Sequence, residues 1–256
     1  MKLTFLGTCS GTEPMAGCHH ASVVIELGDR AIFLDAGEGC AYTAHLMPID
    51  LLNVRHILIS HPHMDHVGGL GNLLWTIRKL RGRQKSRAPQ PVTVHLPRKS
   101  TYDGVMLLLS ETEGHFDCDF PLDAQIYQDG VVLDEQGVRI TAMHNGHLPQ
   151  NADGTYPSFS FLIEAEGKKI VYSGDVQSPA ELDAWADCDL MMIETGHHRP
   201  MDVAAHFAAL EKRPERLIYT HHGRTILTNT ASQLKLVQQI YGENARFAYD
   251  TMTVAL

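Results

Sequence analysis

The stretch Ser60-His61-Pro62-His63-Met64-Asp65-His66 sets four metal-capable side chains within six residues, directly behind the apolar run Ile57-Leu58-Ile59. Side chains on extended backbone repeat every two residues, so His61 and His63 point the same way. Asp65 and His66 follow as the chain turns into the next element and can aim at a second point. One cation in tetrahedral geometry does not easily use all four groups, whereas two neighbouring cations do. Pro62 and the pair Gly68-Gly69 suit a tight turn better than a helix interior. The motif therefore asks for a buried strand, a sharp turn and a following element, and a run of surface histidines explains neither the spacing nor the strand before it.

Histidine is abundant, with 16 in 256 residues, and it clusters at 19–20, 61–66, 144 and 147, 197–198 and 221–222. The 44% hydrophobic and 20% charged content is that of a soluble globular chain able to bury a large core. A net charge of -9 argues against non-specific nucleic-acid binding over the whole surface. Five scattered cysteines without a C-x-x-C pair fit reduced thiols. The first apolar stretch is too short for a secretory signal and no run reaches ~20 residues, so the expected location is cytoplasmic.

Short apolar runs predict strands at about 2–6, 22–27, 31–35, 55–60, 92–96, 138–143, 158–164, 169–173, 189–193, 216–220 and 246–249. Helical periodicity covers 66–81, 101–112, 201–211 and 231–241. Groups of strands with helices between them predict one α/β domain over residues 1–256, a sandwich of two sheets with helices outside. The segment 81–91 carries four of the 21 Lys and Arg and no acid, and reads as a solvated loop or a small basic lip for an anionic substrate.

Four more segments end a strand on a polar group suited to a site. Asp35 closes Ile32-Phe33-Leu34, and a buried strand-end acid needs donors or a cation. Asp175 follows Ile170-Val171-Tyr172-Ser173-Gly174, and His221-His222 follow Leu217-Ile218-Tyr219-Thr220. His144 and His147 both follow the run beginning at Val138. Each is weak alone, since a strand-end Asp is usually a turn or cap residue.

Together, Leu6-Gly7-Thr8, Leu34-Asp35-Ala36-Gly37-Glu38-Gly39, the His61–His66 motif with Gly68-Gly69-Leu70, Tyr172-Ser173-Gly174-Asp175 and Thr220-His221 resemble the metallo-β-lactamase-fold hydrolases, most of all the ribonuclease Z and phosphodiesterase branch. The resemblance implies a four-layer αββα sandwich and two divalent metal ions, Zn²⁺ before Mn²⁺ or Fe²⁺. It implies that His61, His63 and His147 hold one ion, that Asp65, His66 and His221 hold the other, and that Asp175 bridges them. His144 stays open as an alternative to His147. Asp35 would orient a ligating imidazole from behind. A histidine upstream of the last ligand would protonate the leaving oxygen; His198 has nearly the expected separation from His221, and His197 stays possible. Hydroxide held between the ions would attack, with Asp65 taking a proton.

The implied activity is phosphodiester hydrolysis, on RNA or on a small phosphodiester, by a protein of a branch that commonly forms homodimers. No long Gly/Pro-rich insertion lies between His66 and His147, and the chain is acidic, so a small substrate is as well supported as RNA. A thioester or lactone hydrolase on the same metal site is the alternative. A non-catalytic binding module would have lost ligands, and here all seven positions are filled.

Overall fold

A computed structural model describes all residues, 1–256, and sorts them into two compact units that the chain visits alternately. The first comprises Met1–Gly7, His19–Tyr127 and Asp250–Leu256, the second Thr8–Cys18 and Gln128–Tyr249.

The first unit is a seven-stranded mixed sheet. Strands β1 (Lys2–Gly7), β2 (Ser22–Leu27) and β3 (Arg30–Leu34) pair antiparallel, and a closing strand, Thr253–Ala255, pairs antiparallel with β1 on the outer side. From β3 the pairing turns parallel through β4 (Val54–Leu58), β5 (Val92–Leu96) and β6 (Leu122–Ile126). Parallel neighbours need crossover connections. These are supplied by α1 (Cys40–Leu46), then α2 (Met64–Val67) with α3 (Leu70–Arg83), then α4 (Lys99–Thr112). The apolar stripe of α3, Leu70, Leu73, Leu74 and Ile77, is fully buried in the core with Phe33, Ile57 and Val94. Each such side chain contributes about 1.5–3 kcal/mol of burial before entropy is counted.

The second unit repeats the scheme. Strands β7 (Gly130–Glu135), β8 (Val138–His144), β9 (Phe159–Ala165) and β10 (Lys168–Tyr172) run antiparallel to their neighbours. Parallel pairing then continues through β11 (Leu190–Thr195), β12 (Arg216–His222) and β13 (Ala245–Phe247). A 3₁₀ segment, Pro179–Trp185, and the helices α5 (Pro200–Ala208), α6 (Arg224–Leu227) and α7 (Thr230–Tyr241) form its crossovers. Its core gathers Val171, Met191, Ile193, Phe207, Leu217 and Tyr219. The closing strand is β14. Each sheet thus has three antiparallel pairs followed by three parallel ones, an internal likeness that the sequence does not reveal.

Most of the predicted strands and helices are present within a few residues of their expected limits. The expected helix 66–81 is broken instead: α2 ends before Gly68 and α3 starts after Gly69. A Cβ on Gly69 would stand 2.2 Å from the Gly37 carbonyl oxygen, so the backbones touch here and only glycine fits. The basic segment 81–91 is not a free lip. Arg81 is buried against Asp119 at 3.0 Å, and Arg87 pairs with Asp50 at 2.5 Å. None of the five cysteines forms a disulfide, and no helix is long and apolar enough to cross a membrane.

Candidate metal centre

The candidate residues of both units stand mostly where strands with parallel neighbours end and the chain leaves for a crossover. Asp35 follows β3, His61 to His66 follow β4, Asp175 follows β10, and His221 lies at the end of β12. Carboxyl ends of parallel strands are where α/β sheets bind ligands, because there the chain can diverge and leave polar groups exposed.

In the first unit, His61 is buried and its ring lies 4.0 Å from that of His66 and 4.7 Å from that of His63, centroid to centroid. Behind them Asp35, wholly buried, accepts from the Ser60 amide at 2.6 Å, the Ser60 hydroxyl at 2.8 Å and His66 Nδ1 at 2.7 Å. With its proton on Nδ1, His66 presents a lone pair at Nε2, the form a metal ligand needs. Asp65 Oδ2 lies 3.5 Å from that Nε2. Asp35 has a φ of 59°, a strained value for a residue with a side chain and one that functional sites often contain. Gly37 packs against the motif so closely that a Cβ would stand 2.5 Å from the Asp65 carbonyl oxygen.

In the second unit, three imidazoles surround the buried carboxylate of Asp175. His221 Nδ1 is 3.2 Å from Oδ1, while His147 Nε2 and His197 Nδ1 are 3.7 and 3.8 Å from Oδ2. His221 reaches this position through a bulge: Glu194 pairs with Thr220 but Thr195 pairs with His222, and His221 has a φ of 52°. Gly196 gives its ring room, since a Cβ there would stand 2.7 Å from His221 Nδ1. His147 is held through its amide, which donates to Asn145 Oδ1 at 3.3 Å; Asn145 Nδ2 in turn donates to Ser160 Oγ at 3.1 Å.

The open choices of the sequence separate here. His147 faces Asp175, whereas His144 bonds Asp129 at 2.6 Å and stacks on Tyr156 at 3.7 Å. His222 is buried between the Thr195 hydroxyl and the Ala248 carbonyl, and burial lowers its pKa to about 4. His198 directs Nε2 to the Val176 carbonyl at 2.9 Å, while His197 is half-exposed and lies on Asp175 and Glu194. Sequence spacing favours His198; in the structure it is His197 whose ring lies beside Asp175 and Glu194.

Glu194 is the residue that motif matching passed over. It is fully buried and accepts from the His197 amide at 2.9 Å and from its Nδ1 at 2.9 Å. Burial pushes its carboxyl up, but the bonds from His197 and His221 outweigh that and hold it below the usual carboxylate range. The Glu194 carboxylate in return raises the His197 pKa against the opposing effect of desolvation. The available signal was the one that marks Asp35, an acid behind an apolar strand, here Leu190-Met191-Met192-Ile193.

Ligand atoms of Asp175, Glu194, His197 and His221 lie within 4.8 Å of one another. Two buried carboxylates this close repel unless positive charge stands between them. Imidazole nitrogen with carboxylate oxygen is the donor chemistry of Zn²⁺ and of related divalent ions, and Asp175 with His221 offers it here.

Solved structures share this architecture across the whole chain. The metallo-β-lactamase-fold protein YhfI from Bacillus subtilis aligns with a TM-score of 0.74 at 16% identity, covering 99% of this chain and 98% of that one. The short form of human tRNase Z aligns at 0.73 and 21%, covering 100% and 99%. The fold is therefore the α/β metallo-β-lactamase fold, and its two sheets with their helices supply the elements of the expected αββα class. Within it, the family described as anti-Pycsar protein Apyc1 matches residues 1–239, and the chain belongs to that family. It is also similar to ribonuclease Z of Mycobacterium avium (strain 104), at 27% identity over 195 residues. That match covers 73% of this chain and 66% of the relative, so the chain spans just under two thirds of the relative's length.

Proposed function

We propose that this protein is a metal-dependent phosphodiester hydrolase. The observation that carries it is the Asp175 cluster, a buried carboxylate with three imidazoles between 3.2 and 3.8 Å away. His61, His63 and His147 would hold one divalent cation and Asp65, His66 and His221 a second, with Asp175 shared between them. Imidazole-rich ligation favours Zn²⁺, with Mn²⁺ or Fe²⁺ also suited to the carboxylates. Such a pair lowers the pKa of water from 15.7 towards about 7 and offsets charge on phosphoryl oxygens.

The chain's own groups supply the rest. Asp35 keeps the His66 proton on Nδ1 and so fixes the ring. Asp65 would take the proton of the attacking water. His197, its Nδ1 held by Glu194, keeps Nε2 for the leaving oxygen, and protonating an alkoxide this way is worth about 10²–10⁴ in rate. Glu194 fixes the orientation of that ring and favours its charged form.

The similarity to ribonuclease Z supports a phosphodiester substrate, and with a net charge of -9 a small one is as well supported as RNA. The test combines metal quantitation with bis(p-nitrophenyl) phosphate, a glutathione thioester and a precursor tRNA as substrates. Two ions per chain with turnover of the diester alone is the expected result. Thioester turnover with inert diesters would move the protein to the other reaction class, and absence of bound metal would end the reading. Light scattering tests the homodimer expected from the family likeness.

A further inference from the structure

Glu181 bonds to the main chain beside both His147 and Asp175. Its Oε1 accepts the Gly146 amide at 2.7 Å, and its Oε2 accepts the Gln177 amide at 3.0 Å and the Ser178 amide at 3.3 Å. Gly146 directly precedes His147, and Gln177 lies two residues after Asp175. One carboxylate therefore ties the loop after β8 to the loop after β10, and its two oxygens have acceptor sites enough for three donors. Glu181 belongs to the 3₁₀ segment Pro179–Trp185, where it closes a capping box with Ser178. That box needs only the Ser178 bond. Local capping does not account for the reach to Gly146, 35 residues away in sequence. The loops meet closely: a Cβ on Gly146 would stand 2.3 Å from Gln177 Oε1 and 2.9 Å from Glu181 Oε1. A second tie runs through buried groups, from Asn145 Nδ2 to Ser160 Oγ and from that hydroxyl to the Ser173 carbonyl at 2.5 Å.

We propose that Glu181 is a positioning residue that holds His147 against Asp175, so that both reach the same cation. The proposal rests on the metal-dependent reading above and adds to it a residue outside the ligand set. His147 Nε2 stands 3.7 Å from Asp175 Oδ2. Ligands tolerate a displacement of only about 0.2 Å from their ideal distances. Groups on two separate loops keep such a spacing only if the loops are fixed to each other. The Asp175 side chain is 2% exposed and that of His147 11%, so His147 is the one that shifts when the tie is cut. A carboxylate accepts on both oxygens, whereas a carboxamide turns its NH₂ group towards one of the two loops, and donor then faces donor. With the Asn145–Ser160 tie still in place, losing a Glu181 bond loosens the spacing without unfolding the loop.

Titration of the metal-free full chain with Co²⁺, followed by visible absorbance and by calorimetry, tests this. The parent should take up two ions. Glu181→Gln should weaken one of them about 10–100-fold, as for other partners that orient a ligand, and leave the second unchanged. Ser178→Ala breaks the other half of the capping box, the bond from the Ala180 amide to the Ser178 hydroxyl. It should lower the melting temperature while both affinities stay as in the parent. Unchanged affinities in Glu181→Gln, an equal loss at both ions, or the same loss in Ser178→Ala would overturn the proposal, since each would leave Glu181 with capping alone. Should Glu181→Gln not fold, Gly146→Ala decides: its Cβ drives Glu181 Oε1 off the loop and should weaken the same single ion, and unchanged affinities there would overturn the proposal equally. Hydrolysis of bis(p-nitrophenyl) phosphate by the parent is scored separately: its absence refutes the hydrolase reading, while the Co²⁺ titration still decides Glu181.

Discussion

Asp35 Oδ2 accepts a hydrogen bond from His66 Nδ1 at 2.7 Å, linking the end of one strand to the turn after the next. The same carboxylate accepts two bonds from Ser60, so a single buried acid orients the backbone before the motif and the ring at its end.

Asp35→Asn keeps the shape and removes the charge. Metal affinity, measured by chelator competition, should fall about 10–100-fold, as for other acids behind a ligating imidazole. Unchanged affinity would mean that packing alone fixes the His66 ring. Asp35→Ala should in addition lower stability, because buried donors left without an acceptor cost about 1–3 kcal/mol each.

Gly196→Ala tests the close approach to His221. The new Cβ would lie 2.7 Å from Nδ1 and 2.9 Å from Cε1 of a ring that is itself buried. Overpacking of this kind costs about 1–3 kcal/mol. The expected outcome is a lower melting temperature together with reduced metal occupancy. Full occupancy with wild-type turnover would show that the ring can move aside.

Asp175→Ala removes the acid that faces three imidazoles. Metal analysis should find at least one ion lost per chain, and activity should vanish with it. Two ions retained per chain would rule out a shared role for this carboxylate.

The two neighbouring histidines separate by leaving group. His197→Ala should lose about 10²–10⁴ in kcat on alkyl diesters and far less on bis(p-nitrophenyl) phosphate, whose leaving phenolate needs no proton. His198→Ala should lose little on either. The reverse pattern would return the proton donor to His198.

Acid should destabilise the fold through His95. This ring is buried in β5, with Nε2 3.0 Å from His56 Nδ1. Burial first, and then the neighbouring His56, lower its pKa to about 4. An unfolded histidine titrates near ~6.5, so between these values only the unfolded chain takes up the proton. Stability is therefore complete above about pH 6.5 and declines as the pH falls, by about 2 kcal/mol at pH 5. Melting temperatures of His95→Gln should change less between pH 7 and 5 than those of the parent. An equal slope in both would remove His95 from the account.

The central strands and the site motifs are legible because their signals are local. A buried strand must be an apolar run, as in Ile57-Leu58-Ile59, and a ligand at its end must be one of few residue types. The strands that escape prediction are β6, β7 and β14, all at sheet edges. In β6 polar and apolar residues alternate, and Leu122-Asp123-Ala124-Gln125-Ile126 is largely exposed, while the apolar run of β7 is only Val131-Val132-Leu133. An edge strand carries polar groups because only one neighbour pairs with it. The small helix α1 escapes for a related reason, since Cys40, Ala41 and Ala44 bury a stripe too short to show a period.

Residue spacing along the chain determined the donor types and their order: imidazoles and acids, each placed after an apolar run. It could not choose between His144 and His147 or between His197 and His198, since neighbours in sequence share the same local pattern. Tertiary structure gives the members of each pair different partners far along the chain, Asp129 and Asp175 for the first pair, Val176 and Glu194 for the second. It also brought Glu181 to the Gly146 amide beside His147. Hydrogen bonds and close contacts act over a few ångströms of space, and which residues come within that distance is settled by how strands and helices pack, a quantity no short window of sequence contains.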